Sequence, residues 1–266
     1  MTTSSFVARI RRLFSPKKSV TRERVRHLRL LQLEDRRVLN ASFALTGVDL
    51  TLDSFDVGDG NLSISMGTAS IDGANVDAFV FALDANTWDT DPGLPADGHE
   101  VSGTELRVAQ SLFEAPPGAS VDIIVSDSNN VSVDITLLTQ VQTFGGNFQA
   151  TTDGNFGSGV GDDLLTSGNE ANEDSGSVTI TAGTGVNLSG MIDTSGADNV
   201  MVAATASSGG QVDISTLDGP ITLAAINSSG GNATGGGVST GGNGASINIL
   251  AADAGSDDTH NVTLNA

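Results

Sequence analysis

The chain has 266 residues, a formal net charge of −20, no Cys and 33 Gly, and eleven of its twelve Lys and Arg lie in residues 1–40. Without Cys there is neither a disulfide framework nor a thiolate metal site. Residues 1–40 sum to +8 and the remainder, whose single cation is Arg107, to −28, which excludes nucleic-acid binding by counterion release outside the first forty residues.

In residues 1–41, Phe6, Val7, Ile10, Leu13 and Phe14 recur at helical spacing with Arg9, Arg11 and Arg12 between them, and Pro16 breaks the pattern. A second pattern carries Val25, Leu28, Leu31 and Leu39 with Arg residues and His27 interleaved. The expectation is a short basic helical leader, suited to an anionic surface or an export receptor. It lacks the uninterrupted apolar core of an ordinary secretory signal. No part of the chain approaches the ~18 consecutive apolar residues that span a bilayer, so no transmembrane span is expected.

The segment LEDRRVLNA, Leu33 to Ala41, with its basic run-up, is similar to the leader of large planctomycete surface and exported proteins, which follows a Leu-Glu-Pro-Arg-x-Leu-Leu pattern. Leu33, Glu34, Arg36 and Leu39 match in character, while Asp35 replaces the Pro and Arg37 and Val38 precede Leu39. The resemblance implies an export address read by export machinery, and an extracellular or cell-surface location in the bacterial envelope.

Residues 42–145 contain the segments VDLTL, LSISM, DAFVFAL, VDIIV and VSVDITLL, which read as strands of irregular length. They are expected to form a β-rich N-terminal or capping region, either a capping β-domain, for which a β-sandwich is the rival architecture, or the first irregular turns of a β-helix.

Residues 146–266 repeat. Phe148, Val178, Val212 and Ile247 anchor copies whose starts lie 30, 34 and 35 residues apart, with the last copy incomplete. Periods of this size signal a solenoid, propeller or array. In Val178-Thr179-Ile180 and Val212-Asp213-Ile214 a period of two sends both aliphatics to one face, and stacking equal copies would place Val on Val and Ile on Ile. The copies also align at Gly185 with Gly219, Ile192 with Ile226 and Gly196 with Gly230. The expected architecture is all-β, a right-handed parallel β-helix of about three and a half copies. Whether a copy makes one long coil or one and a half is open, because Val178, Val200 and Ile221 recur at 22 and 21 residues. The Val-rich strands ending in Thr-Ser-Gly or Ser-Gly-Gly resemble filamentous-haemagglutinin-type adhesin repeats, which implies the same architecture. The final copy is followed by no polar capping segment, so the expectation is either a truncated member of a larger adhesin family or end-to-end self-association.

Several acidic residues invite chemistry. Gly159, Gly161, Asp163 and Leu165 fit one calcium-binding nonapeptide of the type found in RTX-type proteins, making Asp162 and Asp163 candidate calcium ligands, although such sites are built from successive copies. Asp89, Asp91, Asp97 and Glu100 follow an EF-hand-like count, but Leu94 stands where Gly is required. Asp153, Asp162 and Asp163 superficially resemble the carboxylates of pectin-hydrolysing glycosidases, the basis of an alternative reading as a carbohydrate-active enzyme. That family's His and Arg-x-Lys motifs are absent, and a body of −28 repels an acidic polysaccharide. His99 and His260 lie among turn residues, outside any nucleophile motif.

The sequence therefore predicts a secreted or cell-surface, adhesin-like, non-catalytic protein whose partners are other surface proteins or glycans. A calcium-stabilised surface repeat protein is a further alternative.

Overall fold

The alternation of aliphatic and polar residues decides which side chains enter the core. In the strand Val178–Ala182, Val178, Ile180 and Ala182 are buried while Thr179 and Thr181 face outward, half-buried. The structure, a computed structural model, describes residues 41–47, 49–56, 58–71, 73–89, 98–112, 121–127, 129, 131–168, 174–252 and 262–264. These residues are all-β in character, with one short 3-10 turn at Gln110–Leu112.

The strands fall into two open, mixed sheets. The first contains β1 (Ser42–Thr46), β2 (Asp49–Asp53), β7 (Asp122–Ser126), β10 (Phe148–Thr152), β13 (Val178–Ala182), β15 (Val212–Thr216) and β17 (Ile247–Ala251), in that spatial order. The second runs from β5 (His99–Ser102) through β6 (Glu105–Ala109), β4 (Ala74–Leu83), β3 (Leu62–Ile71), β8 (Ile135–Leu137), β11 (Asn155–Ser158), β14 (Gly185–Asp193) and β16 (Ile221–Asn227) to β18 (Val262–Leu264). Two short strands, β9 (Val141–Gln142) and β12 (Leu164–Leu165), extend this sheet alongside β14. Neither sheet closes into a barrel.

From β7 onward every pairing is parallel, and the chain passes from one sheet to the other and back once per period. Leu50, Ile123, Phe148, Val178, Val212 and Ile247 are successive Cα partners across the first sheet. The repeat anchors thus pair with one another, and each period contributes one strand to this row, since Val178 partners Val212 and Val200 lies outside the strands. The row extends two strands further towards the N-terminus than the sequence repeat does. Each fully buried Leu, Ile, Val or Phe in such a row stabilises by about 1.5–3 kcal/mol.

One register differs from the sequence alignment. In β14 and β16, Val186 and Leu188 pair with Ile221 and Leu223, which sets Gly185 against Pro220 and not Gly219. An irregularity between Leu188 and Met191 then restores the shorter spacing, so that Ile192 pairs with Ile226 as expected.

Antiparallel hairpins flank the parallel strands. β1 folds back on β2, and β3, β4, β6 and β5 form an antiparallel extension. Under this end Trp88 stacks edge-on against Phe43 and Phe55, with ring centroids 6.2 Å from each, and its indole N–H donates to the carbonyl of Thr104 at 3.0 Å. One apolar cluster runs unbroken from Ala41 to Leu223, and all described residues belong to one compact unit, Leu39–Ala266.

Candidate binding surface

Because the parallel strands carry most of their aliphatics inward, the outer face is rich in Thr, Ser, Asn, Asp and Gly, aligned in rows by the strand register. On the second sheet, Thr136, Gly157, Asn187 and Thr222 are successive partners across β8, β11, β14 and β16. The neighbouring row at the strand starts contains Asp134, Asn155, Gly185 and Pro220. These rows line a hollow of about 450 Å³. Gly157 leaves a gap in the first row, between Thr136 and Asn187.

The two rows treat their polar groups differently. Asp134 Oδ1 accepts the main-chain N–H of Asn155 at 2.7 Å and its side-chain amide at 3.1 Å. Among the described residues Thr136, Asn187 and Thr222 make no side-chain hydrogen bond, so their hydroxyls and amide stand free over the hollow.

The Asp–Asn relation recurs around the molecule. Asn147 donates to Asp122, Asn227 to Asp193, Asn232 to Asp198 and Asn248 to Asp213, each across to the adjacent copy. An acidic residue is thereby followed by a neutral donor in the next strand, which limits the repulsion expected when like charges sit opposite one another in a sheet.

A third feature lies at the corner after β9, β12, β14 and β16. The hydroxyls of Thr143, Thr166, Thr194 and Ser228 donate across the base of the following loop to the carbonyls of Gly146, Gly176, Gly210 and Ala245, which are 3, 10, 16 and 17 residues away. The two longest loops lie on each other, with Asn199 N–H on Asn232 O at 2.8 Å and Ala206 N–H on Thr240 O at 2.9 Å. Glycine permits this approach: a Cβ on Gly235 would stand 1.7 Å from Met201 O, and on Gly242 1.8 Å from Ser207 O. The loops leave Val200, Val202 and Val238 more than two-thirds exposed.

The residues singled out in the sequence are dispersed. Asp162 closes a turn, its Oδ2 accepting Gly159 N–H at 3.0 Å with Gly161 at φ +83°. Asp163 Oδ1 accepts Met191 N–H at 2.7 Å. Each carboxylate already serves a main-chain donor, and the pair falls short of the roughly six to eight oxygens that calcium takes. No group of three or more His, Asp or Glu converges among the described residues. Asp153 precedes β11 and Asp162 follows it, so the two carboxylates occupy opposite ends of that strand. Arg107 donates to Glu105 Oε2 at 2.6 Å and to Thr68 O at 2.6 Å, and the His99 ring packs edge-on against Phe43. Asp89 is exposed, with its N–H on Ala41 O. Leu33, Glu34, Arg36, Leu39, Asp91, Asp97 and His260 lie outside the described residues.

Sequence reasoning did not single out Thr136, Gly157, Asn187 and Thr222. Their types are abundant in this chain, and only the strand register places them side by side.

Among known proteins, no family model matches the chain, and neither a curated protein nor a solved structure does. No helix among the described residues is long and apolar enough to cross a membrane.

Proposed function

We propose that the chain is an exported, cell-surface bacterial protein, adhesin-like and non-catalytic, whose body is a right-handed parallel β-helix presenting polar faces to partners. The observation that carries this reading is the parallel row Leu50, Ile123, Phe148, Val178, Val212, Ile247, with one strand per period. Such stacking builds extended surfaces of aligned side chains, and those surfaces suit repetitive contacts. The similarity of Leu33 to Ala41 to planctomycete export leaders supports the compartment. The commitment of Asp162, Asp163 and Arg107 to structural hydrogen bonds favours binding over catalysis. Partners are other surface proteins or glycans.

Fractionation of the source cells combined with protease treatment of intact cells tests this reading. The expected result is surface-accessible protein that has lost its N-terminal leader, located by N-terminal sequencing. Protein confined to the cytosol with its first forty residues intact sinks the reading.

A further inference from the structure

We infer that the hollow over β8, β11, β14 and β16 is a binding groove for an extended neutral glycan. This rests on the surface-protein reading above and names the ligand class of one of its faces.

The glycines carry the inference. Most glycines of the parallel region are required by packing. A Cβ on Gly183 would lie 2.0 Å from Asp153 O, on Gly210 1.9 Å from Gly176 O, and on Gly219 1.7 Å from Thr184 O. Gly157 differs. A Cβ there meets nothing closer than Asn187 O at 3.4 Å, and its φ is not in the left-handed region. Gly185, buried at the start of β14, is tighter: a Cβ there would lie 3.3 Å from both Pro220 O and Asn155 Oδ1. A glycine inside a strand costs about 0.5–1 kcal/mol relative to alanine and, where neither backbone conformation nor packing demands it, leaves room for a ligand to approach closely. Gly157 is a strand glycine with this freedom; it lies on the outer face of β11 and opens the hollow between Thr136 and Asn187.

The lining selects the ligand. Parallel strands lie about 4.8 Å apart, so the four strands give a groove about 15 Å long, long enough for a chain and not only a single small molecule. Its free groups are the hydroxyls of Thr136 and Thr222 and the amide of Asn187, donors and acceptors of the kind that pair with sugar hydroxyls. The exposed ring of Pro220 offers a small apolar rest beside them. No Lys or Arg lines the groove, and the acidic body repels a polyanion. The only carboxylate in the lining, Asp134, has its Oδ1 engaged by Asn155, so the groove itself offers a polycation a single carboxylate. A peptide strand is disfavoured because the floor is a sheet face whose strands are already paired on both sides, with no edge for strand addition.

The test is affinity electrophoresis or calorimetry of the full chain with dextran, galactomannan and a soluble β-glucan, alongside polygalacturonate, chitosan and an extended Ser/Thr-rich peptide. At least one neutral polysaccharide is expected to bind with little dependence on salt. Gly157→Val fills the groove with a residue strands favour, and is expected to weaken that binding by at least about tenfold while thermal stability stays the same or rises. Thr136→Val with Thr222→Val, which adds no volume, is expected to weaken it in the same direction and serves should Gly157→Val fail to fold. Failure of every neutral polysaccharide to bind overturns the inference, as does binding that both sets of variants leave intact. Binding confined to polygalacturonate, chitosan or the peptide also overturns it. Because the measurement uses purified protein, its failure is separable from failure of the surface location, which fractionation reads independently.

Discussion

Asn147 places both its backbone N–H and its side-chain amide on the carboxylate of Asp122, at 2.7 and 3.1 Å, and offers its own Oδ1 to Ser177 N–H at 2.8 Å. One side chain therefore links three successive strand entries, accepting on one side and donating on the other. The arrangement depends on an amide: a carboxylate at this position keeps the acceptor but loses the donor.

Asn147→Asp is accordingly expected to set two carboxylates in contact and to lower stability by about 1 kcal/mol, as like charges directly opposite do in a sheet. Urea denaturation at low and high salt measures it. The loss is expected to shrink in high salt, because the pair is exposed and therefore screened. A salt-independent loss assigns the effect to the missing hydrogen bonds instead.

Thr194→Val removes a fully buried hydroxyl that donates to Gly210 O at 2.7 Å. The shape is nearly conserved while a buried carbonyl loses a partner, so a loss of about 1–3 kcal/mol is expected. Thr194→Ser, which keeps the hydroxyl, should retain most of the stability in the same denaturation measurement.

Glycine substitutions should divide by surroundings. Gly219→Ala drives a methyl to within 1.7 Å of Thr184 O, and the expected loss is above about 3 kcal/mol or failure to fold, the range of severe backbone and packing lesions. Gly236→Ala meets nothing within 4 Å and should melt within a few degrees of the parent. Thermal melts followed by circular dichroism separate the two outcomes.

Phe148 is fully buried and packs edge-on against Phe156 with ring centroids 5.9 Å apart. Phe148→Ala is expected to cost about 3–5 kcal/mol through lost burial and the cavity left behind. Leu250, 64% exposed on the outer face of β17, should tolerate alanine within about 0.5 kcal/mol. Equal losses at both positions, in urea titrations, would contradict the inside–outside assignment of these strands.

The strands and their pairing order were legible wherever the copies are of similar length. Phe148, Val178, Val212 and Ile247 stand at equivalent points of successive copies, and period-two alternation marks their inward face. Ile123 and Leu50 belong to the same row but were hidden, because 25 residues separate Ile123 from Phe148 and the antiparallel strands β3 to β6 intervene before it. The alignment of Gly185 with Gly219 failed by one residue because the irregularity after Leu188 changes the spacing within a strand pair. The groove was illegible for another reason. Gly157 and Gly219 are the same letter, and only the atoms around each backbone distinguish a glycine that packing demands from one that leaves open space.

The hydroxyl bridge at the corner after β14 has a consequence for how such a chain can change. At the equivalent corners such a bridge spans as few as 3 and as many as 17 residues, so the framework accommodates loops of very different length there. Each doubling of the inserted length costs only about 0.6 kcal/mol of closure entropy. The corner is a ready port for grafted sequence: an epitope or tag spliced between Thr194 and Gly210 should be displayed on the outside while the aliphatic rows beneath keep their places.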